Sequence, residues 1–257
     1  MALFKSSNPA FSEKILDKSF SGSDLSQGTM SVRGTLNKFG FLLLMVVGGA
    51  AYTWHLYSED AQSTMFTLMM VGIFGGLILA LIMTFKPKLS VYLAPAYGIL
   101  EGLFLGGLSA VVNDAYGTKM GHPGIVFQAV GLTIAVALAM FLLYSFRIIK
   151  ATEKFKSIII SATMGIALFY GISLILRLFH VDLPFMYDSS ALGIGISLFV
   201  VAIAALNLIL DFDRIETGTA QGAPKFMEWY YAFGLMVTIV WLYIEILKLL
   251  MRFSKRN

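Results

Sequence analysis

The chain has no cysteine, three histidines and little charge: 13% of its 257 residues are Asp, Glu, Lys or Arg. Without cysteine, disulfides and thiolate metal sites are excluded. His55, His122 and His180 fall at the ends of apolar runs or between them, with no pair at ligand spacing and no GxSxG or HExxH string. Hydrolytic and zinc chemistry therefore have no carrier, and no enzyme is expected. A soluble domain carries about 25% charged residues to cover its surface. At 58% hydrophobic, with a mean hydropathy of +0.79, this chain is read instead as a partner of the lipid bilayer. Its formal net charge of +4 comes from Lys and Arg in the gaps between apolar runs. That charge faces lipid headgroups, and no nucleic-acid partner is implied.

Seven runs approach the roughly 20 residues needed to cross hydrocarbon as a helix: 38–57, 64–84, 91–111, 125–146, 157–177, 190–212 and 228–250. Pro87, Pro123, Pro184 and Pro224 lie between them, and Pro95 is placed in the first turn of the third run, where its missing N–H is tolerated. The expected architecture is all-α, a seven-transmembrane-helix bundle over residues 35–251 behind a polar tail, 1–34. That tail has no long apolar core, so no cleavable signal is expected.

Positive charge sets the orientation. The segment up to Lys38 has five Lys and Arg; the second gap has Lys86 and Lys88, the fourth Arg147, Lys150, Lys154 and Lys156, and the sixth Arg214 and Lys225. The first gap has none, the third only Lys119 and the fifth only Arg177, which predicts a cytoplasmic amino terminus in a multi-pass protein of the cell membrane. Lys248, Arg252, Lys255 and Arg256 at the other end run against seven crossings. Six crossings with a re-entrant segment would place them inside; a late tail too short to matter keeps seven, the reading adopted.

In lipid, close helix packing comes from small residues. Ala94, Gly98, Gly102, Gly106 and Ala110 recur every four residues in the third run and predict a smooth ridge at the centre of the bundle; Gly72 and Gly76 do the same in the second.

Ionisable groups at membrane depth are costly and mark candidate sites. Glu101 is mid-span beside the glycine ridge, either bonded to a neighbouring carbonyl or functional. In LNLILDFDRIETG, Asp211 and Asp213 are two residues apart and so point about 200° apart on a helix. Asp211 shares the face of Asn207 and Arg214, with Arg214 as candidate partner, whereas Asp213 lies below Leu206, Ile209 and Leu210. Glu228 opens the last run beside Trp229, Tyr230 and Tyr231, and Glu245 lies 17 residues on, about 26 Å along a helix, so the two cannot serve one site. Lys248 at i+3 offers Glu245 a plain surface pairing. A retinal-linked lysine has no candidate, because Lys248 is near its helix end.

Glu101, Gly102 and Leu103 as EGL, Phe212 and Asp213 closing the sixth run, and LYIEILKLL in the seventh together resemble the Bax inhibitor-1 family of multi-pass membrane proteins, over roughly residues 35–250. The resemblance implies a bundle whose last helix is wrapped by the other six, acting as a pH-sensitive calcium leak, with an Asp ending span six and an Asp in span seven as a proton-sensing pair. By motif the first is Asp213 and the second Glu245, through Leu242, Tyr243, Ile244 and Glu245. This sequence departs in having Glu there, 32 residues after Asp213, and no arginine or acid in the second span. If span seven starts at 228 on the cytoplasmic side, Glu228 is the better geometric partner, with calcium passing transiently at Asp213 and Glu228.

Two carboxylates close together in low dielectric share a proton and titrate as a pair. The expectation is a ladder of Asp211, Asp213 and Glu228 inside, Glu101 midway and Glu245 outside, carrying calcium or protons without a resident cofactor. The resemblance also supports an alternative, a modulator of an ATP-dependent membrane protease gripped through the polar tail.

Overall fold

The computed structural model describes residues 28–180 and 189–256. The expected tail up to residue 27, Pro184 and Asn257 lie outside the described residues. Among those described, there are seven long helices and no strand: α1 (Val32–Ser58), α2 (Gln62–Phe85), α3 (Ser90–Val112), α4 (Ile125–Ser145), α5 (Glu153–Leu178), α6 (Ala191–Ala220) and α7 (Met227–Arg256). A 3₁₀ turn, Pro87–Leu89, leads into α3 and a π-turn, Asn113–Thr118, follows it.

All seven are apolar and long enough to cross a membrane, and they match the seven runs in order. The differences are at the ends, where polar residues continue helices that hydropathy alone stops. α1 starts at Val32, inside the expected tail, because Ser31 caps it: its Oγ accepts from the Gly34 N–H at 3.0 Å. α6 runs on to Ala220, so Asp211 and Asp213 lie within the helix and not at its end. α3 starts early enough that Pro95 is in its second turn. The last helix is the most buried: 56% of its apolar window is covered, against 50% for the third, 44% for α6 and 17–22% for the others.

The chain divides into two compact units. One comprises residues up to Leu108 with Arg214–Gly234. Here the small-residue ridge of α3 meets α1: a Cβ on Gly49 would lie 2.6 Å from the Ile99 carbonyl oxygen, and one on Gly102 would strike the Val46 carbonyl. Backbone contact this close is what brings helices together where lipid removes the hydrophobic drive. On α2, Gly72 packs against the α3 backbone at Leu100 and Phe104.

The other unit comprises Ser109–Asp213 with Leu235–Asn257. Its core joins Ile159 and Ile166 of α5 to Val200, Ile203 and Leu210 of α6, with Tyr170 and Trp241 against them.

Candidate functional site

In the first unit Glu228 is fully buried at the start of α7. The Ser31 N–H and hydroxyl donate to its Oε1 at 2.9 and 3.1 Å, Lys225 Nζ pairs with the same oxygen at 3.0 Å, and Lys38 Nζ pairs with Oε2. Lys38 also lies 5.5 Å from the centre of the Trp229 ring, whose edge meets Phe41. The strand-like stretch before α1 adds a bridge from Thr29 to Pro224, with Met30 N–H donating to the Ala223 carbonyl at 2.8 Å. Glu228 thus fastens the start of α1 to the start of α7. Sequence offers it as an interfacial charge beside Trp229, Tyr230 and Tyr231; in the structure the carboxylate is buried and bonded within the protein.

Glu101 in α3 is hydrogen-bonded by Tyr97, one turn earlier, and its Oε2 faces Gly76 of α2. The absent side chain at Gly76 makes room for that carboxylate. The bond to a tyrosine hydroxyl replaces the backbone carbonyl considered from sequence.

In the second unit three acids bind three different groups. Asp211, 7% exposed, accepts from the Thr238 hydroxyl of α7 at 2.5 Å. One turn before it, Asn207 Nδ2 donates to Thr163 Oγ1 of α5 at 2.8 Å, so the predicted polar stripe of α6 is used on two neighbours. Asp213 points away from Asp211, as the 200° offset requires, and pairs with Lys156 of α5 at 2.8 Å. Glu245, 1% exposed, accepts from the Tyr170 hydroxyl of α5 at 3.1 and 3.2 Å and from Lys248 Nζ at 2.9 Å, with Lys248 over the Tyr170 ring at 4.9 Å. The i+3 pairing of Glu245 with Lys248 is therefore present, with the carboxylate buried and Lys248 half-buried over it. Glu245 is two helical turns beyond Thr238, about 10 Å along α7, and so stands at a different level from Asp211.

Asp211, Asp213 and Glu245 take separate partners, with Lys156 shared between Asp213 and Glu153. Among the described residues no three His, Asp or Glu side chains gather to hold a metal ion. The partners that sequence did not single out are Ser31, Lys38, Tyr97, Lys156, Tyr170, Lys225 and Thr238. Their only signal is a polar group within reach of an apolar run, which many residues share.

Seven membrane-crossing helices, with buried carboxylates bonded from one helix to another, define a multi-pass membrane protein with polar links in its interior. A family profile described as Bax inhibitor 1 like matches residues 8–255, and the chain belongs to that family. No curated protein and no solved structure matches it.

Proposed function

We propose that the chain is a proton-sensitive cation leak of the cell membrane, its amino terminus cytoplasmic, with calcium as cargo and the carboxylates of α6 and α7 as sensor. The observation that carries this reading is that α5, α6 and α7 are joined in one unit through carboxylates: Asp211 to Thr238, Asp213 to Lys156 and Glu245 to Tyr170. Protonating Asp213 removes the charge that holds Lys156 of α5, and protonating Glu245 removes the charge to which the Tyr170 hydroxyl of α5 donates. The first event weakens the contact of α5 with α6, and the second that of α5 with α7, where the Glu245 carboxylate is buried. In the ionised state the same groups are hard oxygen ligands of the kind calcium takes. Glu101 and Glu228 are further carboxylates, in the other unit.

Asp213→Asn tests the reading in reconstituted vesicles loaded with a calcium indicator. The expected outcome is a calcium flux whose pH dependence is shifted or lost; an unchanged pH profile rejects Asp213 as sensor, and Asp211→Asn in parallel tells which acid of α6 responds. The alternative reading, modulation of an ATP-dependent membrane protease, is separated by deleting the residues up to 27. Flux then persists under the leak reading, whereas control of the protease is lost under the other.

A further inference from the structure

The connection from α4 to α5 sets exposed apolar side chains and cations side by side on one tight turn. α4 ends in a tight cap: Ile148 N–H donates to the Leu143 carbonyl at 3.0 Å and Arg147 N–H to the Tyr144 carbonyl at 2.9 Å. This closure puts Arg147 in the left-handed region, φ 57°, a position that glycine fills without strain. Flanking it, Phe146 and Ile148 are 72% and 68% exposed, so two bulky apolar side chains project on either side of a cation.

The charge around them has one sign. Residues 146–156 carry Arg147, Lys150, Lys154 and Lys156 against a single acid, Glu153. Lys156 is engaged by Asp213 and Glu153, while Lys150 and Lys154 are exposed. The turn is held firmly in place: Tyr144, buried and beneath the Arg147 guanidinium at 5.5 Å, tilts against Phe212 of α6 at 6.0 Å. Counting charge in loops gives only an orientation; a cation set between two exposed apolar side chains on a capped turn gives a binding geometry.

We infer that this corner is a docking site for anionic phospholipid headgroups. Phe146 and Ile148 enter the acyl boundary, and Arg147, Lys150 and Lys154 surround the phosphate, the arrangement by which interfacial segments combine apolar burial with attraction to negative lipid. The lipid would thereby bear on the same end of α5 and α6 that Lys156 and Asp213 join. The inference does not depend on the leak reading.

Because the chain has no cysteine, Ile148→Cys in the full chain gives a single site for a bimane label. The labelled protein is placed in phosphatidylcholine vesicles containing either brominated phosphatidylcholine or brominated phosphatidylglycerol. Quenching is expected to favour the anionic lipid by about threefold or more, given the attraction of each cation near a negative surface, and the preference should vanish when Arg147, Lys150 and Lys154 are all replaced by Gln. Equal quenching by the two lipids, or a preference that survives the triple replacement, overturns the inference. A label quenched by neither lipid also overturns it, since the turn then stands clear of the bilayer, as a docking face for a soluble acidic protein would.

Discussion

Asp60, Arg147 and His180 share a conformation that their side chains do not favour, with φ of 57°, 57° and 60°. They stand just past the ends of α1, α4 and α5, where the chain turns left-handed to satisfy the last carbonyls. At Asp60 the pattern is complete: its N–H donates to the Tyr57 carbonyl and that of Ala61 to the Leu56 carbonyl. Asp60→Gly keeps these bonds and removes the steric penalty on Cβ, so it should stabilise the protein by about 0.5–1 kcal/mol. A thermal melt in detergent checks this, and an unchanged or lower midpoint contradicts it. No glycine marks these stops in the sequence, which is why the ends of the runs were legible only through hydropathy. The acids show the same limit. Asp211, Asp213, Glu101, Glu228 and Glu245 stand out by type in an apolar chain, but besides its neighbour Lys225 Glu228 is bonded by Ser31 and Lys38, 197 and 190 residues away, and no local pattern announces those two.

At the scale of elements, the four-residue spacing of Ala94, Gly98, Gly102 and Gly106 was enough to expect a smooth face on α3. The structure supplies the surface it meets, α1 at Val46, Gly49 and Thr53. Gly102→Ala puts a methyl group against the Val46 carbonyl and 3.0 Å from the Gly49 Cα, and backbone cannot yield as a side chain does. The substitution should cost about 1–3 kcal/mol, as overpacking does. Gly48→Ala is the matched control, since its Cβ would meet nothing within 4 Å. Equal melting points for the two variants would show that the contact does not hold α1 to α3. The same spacing argument separated Asp211 from Asp213 correctly, because 100° per residue is a property of the helix itself. It did not extend α6 to Ala220, where Arg214, Glu216 and Thr217 continue a helix that hydropathy ends.

For the whole molecule, seven crossings require the two ends of the described chain to lie on opposite faces of the membrane, despite the basic residues at both. Thr29→Cys and Lys255→Cys, each exposed and each the only cysteine of its chain, should react with an impermeant maleimide from opposite sides of sealed vesicles. Labelling from one side alone would mean an even number of crossings and would return the re-entrant reading. Under the proposed orientation, Thr29→Cys is the variant that reacts from the cytoplasmic face.

Membrane residence, the number and order of the helices and the identity of the rare buried acids were determined by the sequence alone. Hydrocarbon demands a fixed length of apolar chain, and it makes every charge within that length an exception. Which group answers each acid was decided by tertiary structure. Thr238 for Asp211, Lys156 for Asp213, Tyr170 for Glu245 and Lys38 for Glu228 depend on how each helix is rotated about its axis and how far it has slid along its neighbour. Those two quantities are set by side-chain packing between helices, which one-dimensional periodicity does not contain.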